Sequence, residues 1–392
     1  MKVIDKSNDN ITLGVNSKII GSDLTLGENI VVRDHTIIAG KKIKIEDNVV
    51  IGNDNDIRST NIYISRNTEI GNDCKILVAD LFKVGSASRI SSYTNITCRH
   101  FEAGNFLYLA NNVSVGYGGT MESTAKVTLG NRVALGPYNI LNANLEIQLA
   151  DKVGTGSYVT FWTHGFHFGH TILQGYQPTF QSISIAENVW LGYHVTVLPG
   201  VSIGKNSIVA AGGVVAGNLP SNYLLGGVPV KKIKPLKKKN ISDEESIQNV
   251  LDILDLWVKE LHYKGIKVQK MPLHGSDAVA WEIVFPKTQV VYHVCMLLSP
   301  IEKQPHQEII QLDHVIALSL HKGNEWVLSS DQNALFNLKS EEFLGRSSTI
   351  SEDLRDFLRR RTLGCGFDKC YKSIEPEVFN KLKSLHLLVE NS

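Results

Sequence analysis

The sequence predicts a mainly β protein: a parallel β-helix built from six-residue repeats, with a small α+β domain appended to it. Three observations predict this. Aliphatic residues recur at every sixth position, most cleanly at Ile185, Leu191, Val197, Ile203, Val209 and Val215. The next residue is repeatedly glycine, as in Leu26-Gly27, Ile51-Gly52, Leu135-Gly136, Leu191-Gly192 and Ile203-Gly204. Beyond Pro235 the beat stops, and a lysine-rich stretch leads into segments with ordinary helix and strand periods.

A beat of six has a physical cause if each hexamer is one short strand plus a turn. Three hexamers, about 18 residues, then close a triangular coil whose aliphatics point at the axis. Glycine suits the corner, where a positive φ or close coil stacking penalises a Cβ. Asn and Asp, frequent at the same places, tolerate that left-handed region. The beat lapses at 97–108, 117–126 and 160–182, and each lapse is expected to leave the prism as a loop. Insertions in repeat proteins gather on one face, often the binding face.

A length of 392 residues exceeds what one core usually organises, which predicts a β-helix over 1–235 and a second domain over 236–392. With 43% hydrophobic and 20% charged residues the chain is not of disordered composition. A net charge of +1 supplies no field that would recruit nucleic acid or an anionic membrane. Five scattered cysteines, Cys74, Cys98, Cys295, Cys365 and Cys370, suit reduced structural thiols better than a disulfide framework. The N-terminus shows no apolar signal, and the longest apolar stretch, near Val290, is too short to span a bilayer; both predict a cytoplasmic protein.

After the linker, Ser242 and Glu245 read as a capping box before the helical pattern Ile247, Val250, Leu251, Leu254, Val258 and Leu261. The runs AWEIVF, VVYHVCML, VIALSL and EWVLS read as strands, with Lys322-Gly323-Asn324 as a hairpin turn between the last two. Helices are expected at about 350–361 and 376–387. Arg359, Arg360 and Arg361 could grip an anionic polymer, but a basic run at a helix end is more often a solvated terminus.

The landmarks NVWLG, LPGVSIG, AAGG, LP and GGVPVKKIK succeed one another near the end of the repeats. In that order and spacing they resemble the C-terminal signature of hexapeptide-repeat sugar O-acetyltransferases, the galactoside, maltose and colanic-acid types. The resemblance is close over about fifty residues and looser over 11–184. It implies a left-handed parallel β-helix of hexapeptide repeats, acetyl-CoA as donor, no metal, a homotrimer, and a sugar hydroxyl, as in a capsule or other surface polysaccharide, as acceptor.

The resemblance also implies site residues. In the loop VTFWTHGFHFGH it makes His164 the general base, with His167 as the alternative and a contributor to acceptor binding. An imidazole suits the task because it titrates near neutral pH. The backbone amide of Tyr193 is placed to face the thioester carbonyl, as an oxyanion donor. Trp190, Gly192, Ala211 and Gly212 are placed along the pantetheine arm, Lys231 and Lys234 near the CoA phosphates, and Asn142 and Asn144 near the acceptor. Each has a plainer reading: solvated loop histidines, aromatics packing between coils, corner glycines and asparagines, linker lysines. Gly217, where relatives often carry lysine, and Val230, after the Gly-x-Pro turn, depart from the pattern. Three other readings stay open: an N-acetyltransferase of a nucleotide-linked amino sugar, a non-catalytic scaffold, and a zinc site on histidines 164, 167 and 170.

Overall fold

In a computed structural model of the chain, the residues described are 2–116, 122–165, 169–273, 277–286, 288–299, 309, 311–321, 323–364 and 372–379. The six-residue beat becomes short strands stacked in parallel. One face of the solenoid is a ladder that pairs Ile11 with Ile30, Val31 with Val50, Val50 with Glu69, Arg89 with Tyr108, Ala134 with Gly154, Gly154 with Trp190, and Trp190 with Ile208. Every aliphatic of the run from Ile185 to Val215 is buried in one continuous core. That core continues through Ile147, Ile96, Ile57 and Ile19, all fully buried.

The coil length departs from expectation in the first half. Between Val15 and Asn131 the corner hydrogen bonds mostly join residues 19 apart. The inward positions explain it: Ile38, Ile45, Ile51 and Ile57 advance by seven, six and six. The extra residue lies inside nine-residue strands such as Ile37–Ile45 and Asp56–Ile64, which wrap one corner without breaking and so join two faces into one sheet. A spacing of 18 holds only late, as at Asn188 and Asn206.

The same device corrects one expected loop. Residues 97–108 do not project: Asn95–Ala103 is a strand in parallel register with Lys75–Val84, and Tyr108–Leu109 continues the next face. After Ile96 its buried positions are Cys98, Phe101 and Ala103, none of them the aliphatics that mark the beat. Of 117–126, residues 117–121 lie outside the described set and Lys126–Leu129 is again a strand of the coil. Residues 160–162 remain in the coil, paired with Asn142 and Thr196; the excursion runs from Thr163 to about 182. The solenoid's ends are closed by antiparallel strands, Lys2–Ile4 against Lys18–Leu26 and Lys231–Pro235 against Tyr223–Gly226. An end strand turned against the stack breaks the parallel edge that would otherwise template another chain.

By its contacts the chain divides at Lys238/Lys239 into two compact units. The second holds a six-stranded sheet in the order Lys267–Met271, Ala278–Val284, Val291–Leu297, Val315–Ser319, Ala334–Asn337, Glu342–Gly345. Helix α1 (Asp243–Tyr263) and helix α2 (Thr349–Arg359) bury Val250, Leu254, Trp257, Leu261, Ile350, Leu354 and Phe357 in one core with Val294, Met296, Ile316 and Leu318. The alternate strand residues Cys295, Leu297, Val315 and Ala317 pack on the other face, as the period of two requires. Ser242 caps α1, its side chain accepting from Glu245 N at 3.1 Å. Between the helices the fully buried carboxylate of Asp353 accepts from Trp257 Nε1, Lys264 Nζ and Ile374 N at 2.9, 2.5 and 2.7 Å.

Two expectations fail in this unit. EWVLS is a 3-10 turn, Glu325–Ser329, because Asn333 Nδ2 reaches back to Val327 O at 2.8 Å and Val327 is buried. Val315–Ser319 forms no hairpin with the EWVLS segment; its partner is the parallel strand Ala334–Asn337. The arginine run is engaged: Arg359 and Arg360 pair with Asp356, and Arg360 also with Glu260. Most of the helix expected at 376–387, with Cys365 and Cys370, lies outside the described residues. Cys74, Cys98 and Cys295 are buried and free, with burial pushing their thiols up to about 11, 12 and 12.

Candidate functional site

The excursion leaves the coil immediately after Trp162. Its base is Thr163, fully buried, whose Oγ1 donates to Asn142 O at 2.9 Å and accepts from Asn144 N at 2.8 Å. One hydroxyl thus ties the outgoing ribbon to the previous coil. His164–Gly165 then pairs antiparallel with Thr179–Phe180, so His164 lies opposite Phe180. The imidazole is partly buried, with the ring of Trp162 edge-on at 6.0 Å and that of Phe180 near-parallel at 6.0 Å. Two aromatic walls give it a defined orientation, which a solvated loop histidine lacks. His167 lies outside the described residues. His170 packs on Tyr176, ring centroids 4.5 Å apart.

Asn142 and Asn144 flank this base. Both are buried, 3% and 8% exposed, and in each Oδ1 has no hydrogen-bond donor among the described residues. An unsatisfied buried carbonyl costs about 1–3 kcal/mol, so two on one turn call for an explanation that the coil does not supply.

The second group of expected residues lies one face away. Tyr193 comes just after the Trp190–Leu191 strand, at a corner; its carbonyl accepts from Gly212 N at 2.8 Å, and its amide takes no part in the coil-to-coil ladder. Gly192 is demanded by stacking: a Cβ there would meet Ala211 N at 2.7 Å. Gly212 differs, with φ of +72° and open space around it. Trp190 is 48% exposed and lies against Gly154 of the coil before, where a Cβ would meet its ring at 2.9 Å. Sequence reasoning missed Gly154, although a glycine one coil below a tryptophan is a readable signal. Lys231 and Lys234 stand on the closing strand opposite Gly226 and Leu224, both exposed.

The structure therefore joins His164, Thr163, Asn142 and Asn144 into one cluster and Trp190, Gly192, Tyr193, Ala211 and Gly212 into another. No hydrogen bond or ring contact links His164 to Tyr193 among the described residues. The first cluster sets a partly buried imidazole on the coil beside two buried amide oxygens, and the second leaves bare glycine backbone at a corner beside an exposed tryptophan. Among the described residues no group of three His, Cys, Asp or Glu side chains converges as a metal site would.

Stretches of the chain are similar to known acetyltransferases. Galactoside O-acetyltransferase of Escherichia coli K12 is 29% identical over 133 residues, 32% of this chain and 66% of that protein. The putative lipopolysaccharide biosynthesis O-acetyl transferase WbbJ of the same strain is 49% identical over 53 residues, 14% of this chain and 27% of that protein. Over these stretches the chain is similar to proteins named as O-acetyltransferases. The alignments span less than two thirds of each of these relatives. A maltose O-acetyltransferase from Clostridium difficile 630 superposes with a TM-score of 0.29 at 22% identity, over 36% of this chain and 70% of that one. No family model matches. No helix among the described residues is long and apolar enough to cross a membrane.

Proposed function

We propose that this chain transfers an acetyl group from acetyl-CoA to a sugar hydroxyl, with His164 as general base. The observation that carries the reading is the ribbon that interrupts the solenoid just before the signature and holds one imidazole between Trp162 and Phe180. His164 takes the hydroxyl proton as the sugar oxygen bonds to the thioester carbonyl carbon. The Tyr193 amide donates to the developing oxyanion. The C–S bond then breaks, and the imidazolium returns the proton to the departing thiolate, giving the O-acetyl sugar and free CoA. Asn142 and Asn144 stand beside the acceptor, tied through Thr163 to the turn that carries His164. Trp190, Ala211 and Gly212 line the pantetheine, with Lys231 and Lys234 near its phosphates.

The chemistry belongs to residues 1–235, in a cytoplasmic homotrimer, and the acceptor is a surface polysaccharide or its precursor. The named function of the WbbJ relative supports that acceptor class. In acetyl transfer from acetyl-CoA to galactosides, maltose and surface-polysaccharide oligosaccharides, His164→Ala is expected to lower the rate about 10²–10⁴-fold with the fold intact. Wild-type rates in that variant would remove His164 from the role. A native chain that binds no acetyl-CoA would leave a scaffold instead.

A further inference from the structure

The edge of the solenoid that carries Tyr193 has a property that neither coil geometry nor acetyl transfer requires. After His35, Asp54 and Asp73 in the earlier coils, its left-handed corner position is filled by Tyr93, Asn112, Tyr138, Tyr158 and His194, with φ between 57° and 62°. Each donates its amide to the preceding coil, as Tyr158 N does to Pro137 O at 3.0 Å and His194 N to Ser157 O at 2.9 Å. Asn or Asp meets that backbone demand cheaply, whereas a tyrosine there is an outlier. Three tyrosines occupy it nonetheless, and none is buried by doing so. Tyr93, Tyr138 and Tyr158 are 59%, 47% and 43% exposed, and the adjoining Tyr193 is 57% exposed. Rings recruited for packing would be covered.

The rings are also ordered. Tyr138 and Tyr158 stack with planes 7° apart and centroids 4.9 Å apart, the spacing of neighbouring strands. Tyr193 is turned 75° across the end of that column at 5.9 Å. The column presents hydroxyl-bearing ring edges to solvent and finishes at the amide assigned to the oxyanion. None of the corner turns bearing these rings contains Lys, Arg, Asp or Glu, whereas the edge through Arg132, Lys152, Glu187 and Lys205 is charged. An uncharged strip rules against nucleic acid, which needs cations to neutralise phosphates. Rigid amphipathic rings interleaved with the amide of Asn112 fit a ligand that is apolar on its C–H faces and hydrogen-bonding at its rim. A neutral saccharide has that character.

We infer that the edge from Tyr93 to Tyr193 is a binding track for a neutral saccharide chain, leading several sugar units of the acceptor to the reacting amide; this rests on the acetyl-transfer reading above. The test replaces rings without disturbing the corner: Tyr138→Asn and Tyr158→Asn, singly and together, use the residue that Asn112 already places there, and Arg132→Asn on the charged edge is the control. Binding of the full chain is measured without acetyl-CoA, on immobilised neutral oligosaccharides of the maltose, galactan and N-acetylglucosamine series from disaccharide to octasaccharide. The native chain should bind the longer members more tightly, and the double variant should lose about tenfold or more in affinity. Arg132→Asn should bind as the native chain does, and all variants should keep acetyl-CoA binding. The inference is overturned if the native chain binds none of the series, or if the double variant binds them unchanged. It is equally overturned if light scattering shows that the ring substitutions change the assembly, since the edge then serves another copy of the chain. A chain that binds the series but transfers no acetyl group sinks the acetyl-transfer reading and leaves the saccharide surface standing.

Discussion

Between Ile11 and Val115 the inward aliphatics pass from coil to coil with no described excursion, in turns of about 19 residues joined by corner hydrogen bonds. Between Val127 and Val215 the same core is opened once, by the ribbon from Thr163 to about 182. The regular half spends its polar side chains on itself: Asp34, Asp47, Asn72 and Ser92 accept from the neighbouring coil's amides, and Lys83–Glu102 and Arg99–Asp80 pair across coils. Among the described residues the opened half keeps two buried carbonyl oxygens without donors, against one buried hydroxyl, Ser59 Oγ, in the regular half, and it exposes Trp190, Tyr193 and Phe180. Stacking alone makes a rod; the departures from stacking are where chemistry is available.

The largest expected difference is between one buried phenylalanine of each half. Phe82 and Phe161 are both fully buried, so Phe82→Ala and Phe161→Ala should each cost about 3–5 kcal/mol in denaturant unfolding. Phe161 also lies between Thr160 and Trp162 beneath the ribbon, so Phe161→Ala should lower kcat for acetyl transfer in protein that is still folded, while Phe82→Ala should not. Equal effects on kcat would erase the division of labour.

A smaller effect separates the edges. Asn188, Asn206 and Asn222 form a side-chain ladder, each donor to the next at 3.0 Å. Asn206→Ala removes the middle rung and leaves a Cβ residue at φ of 57°, a loss of about 1 kcal/mol. Tyr158→Asn, on another edge, should cost little or nothing in the same denaturant unfolding, because Asn suits the left-handed corner at 158 better than tyrosine does.

The smallest effect is on acid stability. A hydrogen bond from Lys44 holds Glu46 below the usual carboxylate range, and one from Lys83 does the same for Glu102. Because the folded values are lowered, this stability is present above the ordinary glutamate value of about 4.3 and is lost as pH falls through the lowered ones. Both pairs are largely solvated, so Lys83→Met should flatten the acid limb of a pH–stability curve by less than about 0.5 kcal/mol.

Much of the frame was legible. The run from Ile185 to Val215 is buried throughout, and Ser242 caps its helix. Residues 97–108 misled because three of the buried positions there are Cys98, Phe101 and Ala103, with Leu107 the one aliphatic, and the added residue in each coil shifts the phase. EWVLS misled because its composition favours a strand, while Asn333 and the burial of Val327 turn it into a 3-10 segment. The imidazole at 164 was legible only through its resemblance to a family; its aromatic walls were not, because Phe180 arrives from the far side of the ribbon.

The sequence by itself determined which residues face the axis and which turn corners, because a period is a local property that each hexamer expresses alone. Only the tertiary structure decided what shares an edge. Tyr93, Tyr138, Tyr158 and Tyr193 are joined by no fixed spacing, since coils of different length and one long excursion lie between them. Inter-coil hydrogen bonds restore the register after each insertion and bring the four rings to one side. The same stacking demands Gly192 under Ala211 and makes room for Trp190 over Gly154, constraints that exist only once one coil lies on the next.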